Sequence, residues 1–115
     1  MKKYDSVLPE IIKDDITEIV NSFSRSQFSE NIKKIILFGS FAKKKYQPDS
    51  DIDIAVVVKN KPEKENLADY YLITDNVQRV TDLLFCTEEQ LLSTKHVYSE
   101  ILREGVIIYE NIHII

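Results

Sequence analysis

Leu37-Phe38-Gly39-Ser40 closes one apolar run and Asp51-Ile52-Asp53-Ile54 opens the next, with Phe41 to Ser50 between them. Side chains alternate along a strand, so Asp51 and Asp53 are expected on one face, with Ile52 and Ile54 on the other. Their Cα atoms would lie about 6.5 to 7 Å apart. Two carboxylates held side by side raise each other's pKa unless a cation intervenes. An oxygen-rich pair of this kind suits Mg²⁺, which keeps several waters and takes further ligands from substrate phosphates. Two such ions about 3.5 to 4 Å apart stabilise both the attacking and the leaving oxygen of an in-line displacement. A third carboxylate, Asp82, lies in the apolar run Val80-Thr81-Asp82-Leu83-Leu84-Phe85, where a charge is costly without a partner. A strand beside the Asp51 run would bring it to the same face. At Gly39-Ser40 the backbone can approach a phosphate closely and Ser40 can donate a hydrogen bond.

Working outward, Leu8, Ile12, Ile16, Ile19 and Phe23 recur at helical spacing, with Pro9 tolerated near the start. Residues 24–31 read as a connection and Ile32 to Phe38 as a short strand. Phe41 to Tyr46 reads as a helical turn, and Gln47-Pro48-Asp49-Ser50 has turn chemistry. Asp51 to Lys59 is the clearest strand, stopped by Asn60 and Pro62. Glu63 to Gln78 reads as a helix and Val80 to Cys86 as a strand. Thr87 with Gln90 makes a capping box. Thr94 to Glu104 reads as a helix ended by Gly105 in a left-handed conformation, and Val106 to Tyr109 as a last strand. Helices interleaved with strands predict an α/β (α+β) fold, a small mixed β-sheet flanked by helices.

Composition narrows the function. A length of 115 residues, 43% hydrophobic and 30% charged, fits one domain over residues 1–115 with a real core. The chain has two glycines, so neither a dinucleotide-binding G-x-G-x-x-G nor a Walker-type loop exists. A net charge of -4, from 15 basic and 19 acidic residues, argues against binding that neutralises a nucleic-acid backbone. No apolar run reaches the roughly 18 residues of a membrane helix, so no membrane partner is expected. Met1-Lys2-Lys3-Tyr4-Asp5 is not followed by the apolar stretch of a secretory signal. One cysteine, Cys86, points to a reducing, cytoplasmic setting and reads as a small core residue. With His96 and His113 as the only other soft ligands, a structural zinc site is not expected.

Gly39-Ser40, ten intervening residues and Asp51-x-Asp53 match the G-S-x10-D-x-D signature, and the chain resembles the DNA polymerase beta-like nucleotidyltransferases, most closely the minimal nucleotidyltransferases of prokaryotes. Four fixed positions match by chance about once per thousand chains of this size. The likeness extends from Ile32 to Tyr109. It implies that Asp51 and Asp53 bind two Mg²⁺ ions, and that Asp82 joins them as the third acidic residue and assists deprotonation of the acceptor. It implies that Gly39 and Ser40 hold the nucleotide's phosphates. The implied chemistry is attack by an acceptor hydroxyl on the α-phosphate of a nucleoside triphosphate, with pyrophosphate leaving. The family often continues Gly-Ser-Arg-Ala-Arg-Gly, whereas here Phe41-Ala42-Lys43-Lys44 follows the serine. Positive charge for the phosphates is then left to Lys43 and Lys44, with Lys45 beside them.

Larger members of that family carry a second domain for the acceptor, and stand-alone minimal members are paired with HEPN-domain toxins. The resemblance therefore implies an antitoxin that transfers AMP from ATP to a tyrosine of its partner. Two other readings stand beside it: a non-catalytic module that blocks a toxin by occlusion, and a small-molecule nucleotidyltransferase with a helical partner subunit. Plainer roles for the residues are a turn and edge-strand charge for Asp51 and Asp53, an ion pair with Arg79 for Asp82, and a solvated patch for Lys43 to Lys45.

Overall fold

The computed structural model describes residues 2–3, 8–93 and 95–111. The expectations for Thr94, for His113 and for the apolar tail 112–115 lie outside the described residues. Five strands form one mixed sheet: β1 (Lys2–Lys3), β2 (Ile32–Phe38), β3 (Ile52–Val58), β4 (Thr81–Cys86) and β5 (Val106–Glu110), in the order β1-β5-β2-β3-β4. β2 runs antiparallel to both β3 and β5, while β3 and β4 are parallel, as are β1 and β5. The expected small mixed sheet flanked by helices is what forms.

Residue alternation in β3 divides the core in two. Ile52, Ile54, Val56 and Val58 face a cluster built with Ile16, Ile19 and Phe23 of α1 (Lys13–Ser24). Ala55 and Val57 face the opposite cluster, with Cys86 of β4, Leu91 of α4 (Glu88–Leu91) and Ile101 of α5 (His96–Glu104). Burying each large aliphatic side chain contributes about 1.5 to 3 kcal/mol, and a one-residue slip of β3 would exchange its two faces. That penalty fixes the register at Asp53. Cys86 is fully buried, and burial pushes its thiol up. Thr87 caps α4 by accepting from the Gln90 backbone N–H, while the Gln90 side chain accepts from the Thr87 N–H, as the capping box requires.

Three helical expectations are corrected. The turn expected over Phe41 to Tyr46 is α2 (Gly39–Lys43), because Gly39 takes a φ of +74° and turns the chain from β2 directly into helix. The helix expected over Glu63 to Gln78 is only α3 (Leu67–Leu72), preceded by a 3-10 turn at Lys64–Asn66. Beyond Leu72 the backbone bonds tighten to three-residue turns, Ile73 to Tyr70, Thr74 to Tyr71, Asp75 to Leu72 and Val77 to Thr74. The Thr74 hydroxyl also donates to the Tyr71 carbonyl, the competing local bond that disfavours Thr in helices. Gly105 ends α5 with φ -68° and ψ 155°, an extended rather than left-handed conformation. A Cβ there would run into the Ile101 carbonyl and lie 2.6 Å from Ile36 Cγ2, so close packing is what requires glycine.

Candidate active site

The β3–β4 ladder pairs Asp53 with Asp82, so adjacent parallel strands place these two carboxylates side by side at one end of the sheet. On its other side Asp53 pairs with Phe38, the residue before Gly39. Asp53 is half-buried and Asp82 exposed. Burial raises the Asp53 carboxyl above its ordinary value, and Asp82, Asp51 and then Glu100 add to the rise. Every one of those charges is a carboxylate, so the end of the sheet is a field that favours a cation.

Gly39 closes the wall of this site. A Cβ at Gly39 would enter the Asp53 carboxylate and lie 2.9 Å from its Cγ. The positive φ and the missing Cβ together let the β2–α2 turn lie directly against Asp53. Ser40 follows as the next residue of α2, half-buried.

Asp51 is arranged differently from expectation. β3 begins at Ile52, and Asp51 stands before it, exposed, on an open groove of about 440 Å³ shared with Asp14, Asp15, Asp49 and Arg79. Arg79 pairs with Asp15 of α1 and donates to the carbonyls of Pro48 and Ser50, so the ion pair considered between Arg79 and Asp82 does not form. Lys43 makes an ion pair with Glu100 of α5, and that hydrogen bond raises the lysine pKa. Lys44 is exposed and caps α2 in a left-handed conformation, φ 61° and ψ 32°. It occupies the position where the resembled pattern has its second glycine, and a non-glycine residue there is strained by roughly 1 to 2 kcal/mol.

Asp53, Asp82 and Gly39 are thus neighbours, with Asp51 one residue outside the strand. Among the described residues no three carboxylate, imidazole or thiol side chains converge closely enough to enclose a metal ion. The donor set nevertheless fits a hard dication: carboxylates only, mutually repelling, with the Asp53 proton held more tightly than usual. Sequence reasoning missed Glu100, whose charge on α5 adds to the field at Asp53 with no local pattern to signal it. It also missed the bonds from Arg79, whose acceptors are backbone carbonyls and so leave no side-chain trace.

A mixed sheet of this order flanked by helices has the nucleotidyltransferase class of fold. Residues 17–113 match the family described as polymerase beta, nucleotidyltransferase, and the chain belongs to that family. A protein of Methanocaldococcus jannaschii, "Putative protein adenylyltransferase MJ0604", is 52% identical over 42 residues, 36% of this chain and 41% of that protein. The chain therefore matches less than half the length of that relative. Among solved structures, a toxin-antitoxin crystallised with AMP-PNP superposes with a TM-score of 0.57 at 19% identity, over 87% of this chain and 74% of that one. A tri-AMPylated Shewanella oneidensis HEPN toxin in complex with its MNT antitoxin gives a TM-score of 0.54 at 15% identity, over 86% of this chain and 72% of that one. At these identities the likeness to the solved structures is one of fold. Among the described residues no helix is long and apolar enough to cross a membrane.

Proposed function

We propose that this chain is a Mg²⁺-dependent nucleotidyltransferase that moves AMP from ATP onto a tyrosine hydroxyl of a separate HEPN-type toxin, and so acts as its antitoxin. The observation that carries the reading is Asp53, in register with Asp82 and directly against Gly39. Asp51, Asp53 and Asp82 would hold the metal, two ions in all, which when bound supplies Lewis-acid stabilisation of the charge that develops on the phosphoryl oxygens. The bare backbone at Gly39 gives the triphosphate room beside the carboxylates, and the Ser40 hydroxyl donates to a phosphate oxygen. Lys43, which also pairs with Glu100, and Lys44 lie on the last turn and cap of α2 and supply positive charge for the phosphates. Asp82, more exposed than Asp53, assists removal of the proton from the acceptor hydroxyl as that oxygen attacks the α-phosphate and pyrophosphate leaves. The acceptor in this reading is a protein. The names of the relatives, a protein adenylyltransferase and an antitoxin bound to an AMPylated toxin, support that choice.

The test combines purified chain, the HEPN-type product of the neighbouring gene, Mg²⁺ and ATP labelled at the α-phosphate. Label should appear in the partner and require Mg²⁺. A stable complex with no label would make this a blocking module, and label found only on small hydroxyl compounds would make it a small-molecule enzyme.

A further inference from the structure

Arg79 lies outside the carboxylate cluster, yet it holds the chain that leads into it. One terminal nitrogen, Nη1, donates to two carbonyls of the segment before β3, Pro48 at 2.6 Å and Ser50 at 3.0 Å. Ser50 is the residue immediately before Asp51. The same segment is folded by its own turn, in which the Ser50 N–H donates to the Gln47 carbonyl at 3.0 Å and the Gln47 N–H donates to Ser50 Oγ at 2.8 Å. The Ile52 N–H, just past Asp51, donates to the carbonyl of Val80, the residue after Arg79. The guanidinium lies over the Phe41 ring of α2, 5.2 Å from its centroid. Its Nε stands 3.8 Å from an Asp15 carboxylate oxygen of α1, and that buried Nε makes no hydrogen bond.

From this geometry we infer that Arg79 is a positioning residue for the metal site: its guanidinium clamps the 48–50 carbonyls and so sets where the Asp51 carboxylate stands relative to Asp53. The inference rests on the metal-binding reading proposed above. The reasoning is geometric. Asp51 precedes β3, so the Ile52–Val80 bond holds it on one side and the Arg79 clamp with the Gln47–Ser50 turn holds it on the other. Nη1 gives both of its hydrogens to these carbonyls while the planar guanidinium lies over Phe41 and turns Nε toward Asp15, a combination a compact lysine ammonium does not reproduce. Asp15 supplies the countercharge, so the clamp adds little net positive charge to compete with a dication for Asp51.

The test uses metal-free full-length protein and reads Mn²⁺ binding in the presence of saturating AMP-PNP, by water-proton relaxation, beside a thermal melt. Arg79→Lys and Arg79→Met should each weaken Mn²⁺ binding at least fivefold, and free guanidinium should restore affinity to Arg79→Ala. A fixed Mn²⁺ affinity in folded variants with lowered melting temperatures would overturn the inference, leaving Arg79 a purely structural tie. Wild type that fails to bind Mn²⁺ with AMP-PNP would overturn the metal-site reading itself, and this inference with it. The two failures are read from different proteins and cannot be confused.

Discussion

The two glycines of the chain sit at matching places and do different things. Gly39 follows β2, Gly105 precedes β5, and the strands are neighbours that pair Leu37 with Val106. Gly39 has a φ of +74°, and its missing Cβ leaves room for the Asp53 carboxylate. Gly105 has an ordinary φ of -68°, and its missing Cβ leaves room for Ile36 and the end of α5. One glycine opens a polar site and the other tightens an apolar core. A glycine between two elements therefore says little until the atom that would strike its Cβ is known.

The largest effect expected around Gly39 is chemical. Asp53→Asn or Asp82→Asn should lower transfer at least a hundredfold at saturating Mg²⁺ and ATP, at about 1.4 kcal/mol per decade of rate. Ser40→Ala should cost less, because it deletes one neutral donor. Steady-state kinetics with Ser40→Ala as damaging as Asp53→Asn would remove the special standing of the carboxylates.

The comparison itself is broken or sharpened by alanine at each glycine. Gly39→Ala places a Cβ at positive φ and against a carboxylate, and should destabilise by about 2 kcal/mol or more. Gly105→Ala forces a methyl against Ile36 and the Ile101 carbonyl, an overpacking cost of about 1 to 3 kcal/mol. Denaturant melts should rank both below wild type. Only Gly39→Ala should also lose nucleotide binding in the fraction that remains folded, measured by calorimetry with AMP-PNP and Mg²⁺. Equal loss in both variants would mean the site depends on global stability alone.

Much of this was legible in the sequence, for reasons that differ by element. β2 and β3 were, because β-branched runs ended by Gly39 and by Asn60-Lys61-Pro62 leave few alternatives. A charge inside an apolar strand signals that Asp82 shares a face with the Asp51 run, while its register opposite Asp53 is set by the β3–β4 ladder and has no local signature. Asp51 was misplaced by one residue, since alternation extends a strand on paper while backbone pairing ends it. The end of α3 was hidden because apolar spacing continues through Ile73 and Val77 although the backbone has already tightened. Gly105 departs from the left-handed cap its residue type suggests, because sequence identifies the residue and not its φ. Glu100 and Arg79 reach their partners across 57 and 29 or more residues, from Glu100 to Lys43 and from Arg79 to Ser50 and Pro48, and no local pattern encodes such contacts.

A smaller effect belongs to the far end of α2. Lys44 is left-handed at φ 61°, so Lys44→Gly should stabilise the protein by about 1 kcal/mol, or roughly 4 to 8 °C in a domain of this size. A lowered Tm would mean the lysine side chain holds the cap through a contact that outweighs the strain.

The central claim, that Asp53 belongs to a metal and nucleotide site and not to the scaffold, is tested most directly by thermal melts of wild type and Asp53→Asn, in chelator and in Mg²⁺ with AMP-PNP. The Asp53 carboxyl is raised, so the folded protein holds its proton more tightly than the unfolded chain. That contribution is full below the unfolded value, about 3.9, and is lost as pH rises through the raised one. At neutral pH in chelator, Asp53→Asn should therefore melt no lower than wild type, and any advantage should vanish towards pH 4. Mg²⁺ with AMP-PNP should raise the wild-type Tm, as a ligand that binds only the folded state must, and Asp53→Asn should lose most of that rise. A marked drop for the variant in chelator, with no ligand shift in wild type, would contradict the account.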